Sequence, residues 1–248
     1  MNKQHVRYIL AVLATVLLGS AAGHADQLSD MAKNLMQQPA AQGALSDSDI
    51  AAGLKQALAQ GTRAAVNELG RSGGFWNNPR FRIPLPGPVE KIEGVLQGAG
   101  MSSQLDQLHL SFNQAAEQAV PVAADVFSEA VQKLTLDDVR GILNGPQDAA
   151  TQYFKRTTSD TLTTRFKPIV AGVTTKVGLA QQYNTLMSSA GPAASMFGGG
   201  QSTDLNGYVT QKALDGLFLR VGDEEKSIRS NPAARTTDLM KKVFGGGQ

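Results

Sequence analysis

The sequence predicts an all-α protein, a compact bundle of about nine or ten helices. Three observations carry that prediction. Apolar residues recur at helical spacing through most of the chain. Cap and stop residues bracket those runs. No segment sustains the apolar–polar alternation with β-branched residues that a half-buried strand needs. The connections are short, so neighbouring helices should pack roughly antiparallel.

The first stretch is read apart from the fold. Lys3 and Arg7 precede an apolar run of eleven residues, Tyr8 to Leu18. That pattern is a secretory signal peptide; the run falls short of the ~20 residues a membrane-spanning helix needs, which disfavours a retained anchor. Small residues at Gly23 and Ala25 place cleavage before Asp26, with Ala22 as the second option. Residues 1–25 are therefore expected to leave, and the mature protein to be periplasmic. Residues 26–45 are polar and rich in Ala and Gln, a flexible lead-in. Residues 46–244 make one helical domain, and residues 245–248 a tail.

Ser46 or Ser48 caps the first helix, which carries Ile50, Leu54, Leu58, Ala65 and Leu69 to a stop at Gly70. Residues 71–88 cannot be helical, because Pro79, Pro84, Pro86 and Pro88 lie within them. Yet Phe75, the sole tryptophan Trp76, Phe81, Ile83 and Leu85 make the stretch apolar. It should lie down as a cover on the bundle, or form a binding rim with Arg80 and Arg82 as anion contacts. Pro88 opens a helix through Leu96. Ser102 or Ser103 starts the next, with Leu105, Leu108, Phe112 and Ala115 on its buried face and Pro121 at its break. Val122 to Leu134 continues. Thr135 to Asp138 reads as a capping box with Asp replacing the usual Glu. Asp148 lies early in a further helix through Tyr153 and Phe154. Pro168 marks a new first turn after a Thr-rich stretch, and Gly178 punctuates the chain again. Tyr183, Leu186 and Met187 share another helix. Residues 191–203 read as a Gly-rich loop.

The longest secure element is Leu205–Ser230, capped by Asp204 and stopped by Asn231-Pro232. Leu214, Leu217, Phe218 and Val221 give it an apolar stripe. Gly216 and Gly222 leave room for close neighbours. Its far end turns abruptly polar at Glu224, Glu225, Lys226 and Arg229, and Arg235 follows. A final helix bears Leu239, Met240, Val243 and Phe244.

Composition excludes several function classes. The 23 Lys+Arg against 21 Asp+Glu become equal once Lys3 and Arg7 leave. A formally neutral mature chain argues against nucleic acid as a partner. His5 and His24 leave as well, so His109 alone remains, and the chain has no cysteine. A transition-metal site is not expected, and no cofactor is. His109 beside an apolar stripe is given no catalytic role. GxSxG, HExxH, GxxxxGK and GxGxxG patterns are missing.

One ordered set of segments goes further. GLKQAL (Gly53–Leu58), GFWNNPRFRIPLP (Gly74–Pro86), AAEQAVP (Ala115–Pro121), ILNGPQDAATQYF (Ile142–Phe154), ALDGLF (Ala213–Phe218) and EEKSIRSNPAARTTDLMKKVFG (Glu224–Gly245) together resemble a bacterial family known as domain of unknown function 4197. The resemblance covers roughly Leu45 to Gly245. It implies an exported, predominantly helical protein without an assigned activity. Many members look like lipoproteins; this chain departs from them by lacking the cysteine, which implies a soluble product after cleavage.

The remaining candidate chemistry is carboxylate, arginine and aromatic. Glu225 and Arg229, like Arg220 and Glu224, are four apart and can pair along the helix, closing its polar end. Alternatively a glutamate there serves as acid or base. Glu224 and Glu225 diverge by ~100° on a helix, so a second acid would have to come from Asp137, Asp138 or Asp160. Tyr153 falls on an apolar face, a core residue or one wall of a pocket. The candidate ligand-binding residues are thus Glu224, Glu225, Arg229, Arg235, Trp76, Arg80, Arg82 and Tyr153. The preferred expectation is an exported binding protein for a small, partly apolar ligand, a lipid or an envelope protein. Contact with a membrane surface is compatible with it; integral insertion after cleavage is not. The alternatives are a hydrolase or lyase using Glu224 or Glu225, and a non-enzymatic envelope scaffold.

Overall fold

Ser46 starts the first helix as a capping box. Its hydroxyl accepts from Asp49 N–H at 3.1 Å, while the Asp49 carboxylate takes the Ser46 N–H. The computed structural model describes residues 45–196 and 204–245. They belong to a unit that begins at Leu45. The signal peptide, the lead-in before Leu45, the triple glycine at Gly198 and the tail beyond Gly245 lie outside the described residues.

The helices are α1 (Asp47–Leu69), α2 (Gly87–Gly98), α3 (Ser102–Ala119), α4 (Ala123–Gln132), α5 (Leu136–Asn144), α6 (Ala149–Lys176), α7 (Leu179–Ser189), α8 (Pro192–Met196), α9 (Leu205–Ser230) and α10 (Asp238–Gly245). Short 3-10 turns occupy Val120–Val122 and Pro232–Ala234. No strand occurs among the described residues, and the fold is a compact all-α one.

Local signals explain most boundaries. Pro121 turns the chain from α3 into α4 through the first 3-10 turn. Thr135 and Asp138 close the second capping box; the Thr135 hydroxyl and N–H hold the Asp138 carboxyl below its ordinary value. Gly178 takes φ 64°, a left-handed conformation that glycine adopts freely, between α6 and α7. Asp204 caps α9 by accepting from Gly207 N–H at 2.8 Å.

Three expectations are corrected. Pro168 does not begin a new helix: α6 runs through it for 28 residues. Leu162, Phe166 and Val170 are fully buried along one face and keep the rod in register with the core. Pro168 and Thr164, whose carbonyl loses its intrahelical donor, are both exposed, so the missing rung falls on the solvent side of the helix. The Thr-rich stretch stays helical because Phe154, Leu162 and Phe166 bury one face of it, and its hydroxyls are satisfied on the preceding turn, as Thr158 is by the Phe154 carbonyl at 2.6 Å. Residues 192–196, expected in a loop, form the short helix α8. The irregular stretch ends slightly early, since α2 starts at Gly87 with Pro88 in its first turn.

At the centre α9 packs against α6, α1 and α3. Phe127 of α4 meets Phe154 of α6 edge-on at 5.1 Å and Phe218 of α9 at 6.1 Å. Gly216 is the notch through which the irregular stretch reaches this core: a Cβ there would stand 2.7 Å from Phe75 Cε1. Phe75, Phe81, Ile83 and Leu85 are all buried, so residues 71–86 lie down on the bundle as their composition demands.

Candidate functional site

The polar end of α9 is built around Glu225, 7% exposed. Its carboxylate points at the start of α6. Oε1 accepts the Ala150 N–H at 3.0 Å; Oε2 accepts the Thr151 N–H at 2.9 Å and the Thr151 hydroxyl at 2.8 Å. These are N–H groups that the first turn of a helix leaves without intrahelical partners. Asp148, at the cap position, makes no cap bond and instead accepts from Gln152. A residue of α9 therefore caps α6 from outside. Gly222, a turn earlier on α9, faces Thr151; a Cβ there would sit 3.5 Å from Thr151 Oγ1, ordinary contact, so the approach does not require a glycine.

Arg229 completes the clasp. Its Nε and Nη2 donate to Glu225 Oε1 at 3.1 and 3.0 Å, and Nη2 also donates to the Ile142 carbonyl at 2.8 Å. Ile142 lies in the last turn of α5. One ion pair thus holds both sides of the α5–α6 turn, the carbonyl end of one helix and the amide end of the next. Glu224 points elsewhere. It pairs with Arg220, which also bonds Glu68 of α1 at 2.6 Å. Burial opposes the charge on Arg220, but the two carboxylates outweigh it and raise its pKa. Arg235, 9% exposed, turns back onto the end of α9 and donates to the Ile228 and Arg229 carbonyls at 3.0 and 2.9 Å.

The aromatic and arginine residues of the irregular stretch form a separate group. Three residues of α3, four apart, hold this stretch by its backbone. The Glu117 carboxylate accepts from the N–H groups of Gly73, Phe75 and Trp76, each at 3.0 Å. The Asn113 amide accepts the Ile83 N–H at 2.8 Å and donates to its carbonyl at 3.2 Å. His109 Nε2 lies 2.7 Å from the same carbonyl. Burial lowers the His109 pKa, only partly opposed by that bond. From α9, Tyr208 donates to the Pro84 carbonyl at 2.9 Å, and burial pushes its hydroxyl up to about 12. Outside this frame Arg82 lies over the Trp76 ring at 4.7 Å, and Trp76 meets His109 edge-on at 5.1 Å. Arg80 pairs with Asp223 of α9 at 2.6 Å. Tyr153 is a core residue: it is buried and donates to the Ala130 carbonyl at 3.1 Å.

The eight predicted residues therefore do not form one site. Glu225, Arg229 and Arg235 cluster at the end of α9; Glu224 joins the Arg220–Glu68 group; Trp76, Arg80 and Arg82 belong to the irregular stretch; Tyr153 stands apart. Asp137 and Asp138, considered as second acids, share the first turn of α5. Asp138 is engaged there with Thr135. Among the described residues no group of three or more His, Asp or Glu stands where it could hold a metal, and no helix is long and apolar enough to cross a membrane.

The concave features near the α9 clasp lie beside α10. A groove of about 580 Å³ is lined by Ile50, Leu143, Val243 and Phe244, with Arg229 and Lys242 as its cations and no carboxylate. Behind it a gap of about 20 Å³, roughly the room for one water, is lined by Leu54, Ala57, Ile228 and Phe244 together with the paired Glu225 and Arg229. Arg229 Nη1 meets no acceptor among the described residues, and neither does the exposed Lys242 ammonium.

The family model described as "Protein of unknown function (DUF4197)" matches residues 44–245. The chain belongs to that family. No curated protein and no solved structure matches it. The family match spans every helix of the described structure, and both the α9 clasp and the frame under the irregular stretch lie inside it.

Sequence reasoning missed Glu117 and Asn113. A signal was present: His109, Asn113 and Glu117 recur every fourth residue, a polar stripe beside the apolar one of Leu108, Phe112 and Ala116. Polar groups that regular, on a helix otherwise this buried, need backbone partners. The irregular stretch supplies them, with the N–H groups of Gly73, Phe75, Trp76 and Ile83 and the Ile83 carbonyl.

Proposed function

We propose that the protein is an exported binding protein for a small, partly apolar anion, held in the groove between the start of α1, the α5–α6 turn and α10. One observation carries the reading. The exposed Lys242 and the open Nη1 of the Glu225-paired Arg229 border a groove walled by Ile50, Leu143, Val243 and Phe244 beside Asn144 and Gln147, with no carboxylate in the lining. Its size falls within the range of small-ligand sites. Arg229 is preorganised, since its other donors are fixed on Glu225 and Ile142. Export rests on the Lys3 and Arg7 charges and the Tyr8–Leu18 run, with cleavage near Ala25.

This reading is favoured over a carboxylate-dependent hydrolase or lyase. Both oxygens of Glu225 are engaged by donors of the fold, and Glu224 is tied to Arg220. Neither offers a free base beside a second acid.

The test starts with protein purified from the periplasmic fraction and sequenced at its N-terminus. Mass spectrometry of molecules released on denaturation should recover a small organic anion. Lys242→Glu should weaken rebinding about three- to tenfold, the scale of one reversed exposed charge contact. Recovery of no anion, with no groove resonance shifted by a panel of butyrate to decanoate, would overturn the proposal.

A further inference from the structure

The chain contains two Asn-Gly pairs, Asn144-Gly145 and Asn206-Gly207. Such a pair has its own chemistry. A glycine carries no Cβ, so its main-chain nitrogen can reach the side-chain amide carbon of the asparagine before it. The fold treats the two pairs in opposite ways.

Asn206 is secured. It is half-buried in the first turn of α9, and its Oδ1 accepts the Thr174 hydroxyl at 2.7 Å. The Gly207 N–H, which would supply the nucleophile, donates to Asp204 Oδ1 at 2.8 Å. Asn144 is open. It is exposed at the last position of α5, and its side-chain amide bonds no group among the described residues. The Gly145 N–H meets no acceptor there either. A helix end with an untied amide unwinds at little cost, so Asn144 can turn its Cγ toward the Gly145 nitrogen.

Packing accounts for the glycine and not for the asparagine. A Cβ on Gly145 would stand 2.5 Å from the Gly141 carbonyl oxygen and 2.9 Å from the Ala149 Cβ. Asn144 instead lines the groove that holds Arg229 and Lys242.

We infer that Asn144 is a self-modification site: it deamidates without an enzyme and gives the cationic groove a carboxylate of its own. The Gly145 nitrogen loses its proton to solvent and attacks Asn144 Cγ. A C–N bond forms, the Cγ–Nδ2 bond breaks, and Nδ2 takes up a proton and leaves as ammonia. Water then opens the cyclic imide. Cleavage at Cγ gives an aspartyl residue; cleavage at the main-chain carbonyl gives an isoaspartyl link. Either product adds a negative charge to a lining that has none, beside Arg229 and Lys242. The reaction rests on the surroundings of the two asparagines alone. Its effect on a ligand rests on the groove being the anion site, as proposed above.

The test holds the mature protein in mildly alkaline buffer, folded and in guanidinium chloride, and follows its peptides by mass spectrometry. In the folded protein the Asn144 peptide should convert and the Asn206 peptide should not. In denaturant both should convert at comparable rates. Equal conversion of the two in the folded protein, or none at Asn144, overturns the inference. Asn144→Asp supplies the aspartyl product in pure form. It should bind octanoate about three- to tenfold more weakly than the parent, the scale of one added exposed charge contact. Asn144→Ser, which neither converts nor adds a charge, should bind as the parent does. If Asn144 converts and Asn144→Asp binds octanoate undiminished, the effect on the groove is refuted. If no member of the butyrate-to-decanoate panel binds the parent, the groove reading falls and takes that effect with it, while the conversion read by mass stands.

Discussion

Replacing Glu225 by alanine should destabilise the protein by about 3–5 kcal/mol, the cost of breaking a buried ion pair from one side. The figure follows from what the carboxylate leaves behind. The Ala150 and Thr151 N–H groups lose their acceptor, and so does the Thr151 hydroxyl. Each buried donor without a partner costs about 1–3 kcal/mol. Arg229 keeps the Ile142 carbonyl but loses its counter-charge. Water entering the adjacent gap offsets part of the sum. In a domain of this size each kcal/mol moves Tm by about 2–4 °C, so the expected fall is about 6–20 °C. Urea unfolding of the mature protein gives the free energy, with Thr151→Val as the graded control at about 1 kcal/mol. Glu225→Gln, which keeps one acceptor oxygen, should fall between the two. A Glu225→Ala protein within about 1 kcal/mol of the parent, at unchanged m-value, would refute the clasp.

Three further outcomes follow from other parts of the fold. Glu117→Ala removes the acceptor for three backbone N–H groups of the irregular stretch; it should cost about 2–4 kcal/mol and shift the emission of Trp76, the sole tryptophan, to the red. Gly216→Ala places a methyl 2.7 Å from Phe75 Cε1 and should destabilise by about 1–3 kcal/mol, read from thermal unfolding. His109 has a folded pKa below its ordinary 6.5 because burial disfavours its charge. The unfolded chain therefore takes up the proton first, and stability present above pH 6.5 should decline as pH falls through the folded pKa. An imidazole NMR titration midpoint at or above 6.5 would contradict this.

The sequence made α9 readable to the residue, because Asp204 and Asn231-Pro232 mark its ends by local chemistry. The same holds for Ser46 and Thr135, whose partners lie three positions away. It was less legible where two local rules competed. Pro168 argued for a boundary, and the burial of Phe166 and Val170 on either side overrode it. The irregular stretch was readable as a cover from its aromatic and proline content, but the Glu117 frame beneath it, about forty residues away in the chain, was not. The pairing of Glu225 with Arg229 was legible from their spacing of four. Its real task, capping α6, depended on a contact across 75 residues that no periodicity encodes. Tyr153 shows the opposite limit: an apolar face admits a core tyrosine or a pocket wall, and only the Ala130 carbonyl decides.

The external cap on α6 also sets an order of events. Ribosomes deliver the chain from its N-terminus, and α6 is complete long before residue 225 is joined. Until then the Ala150 and Thr151 amides have only water, and the α5–α6 turn lacks the Arg229 bond to the Ile142 carbonyl. A nascent or truncated chain ending before α9 should remain open to proteases at Gly145–Thr151, and completion of α9 should close that window.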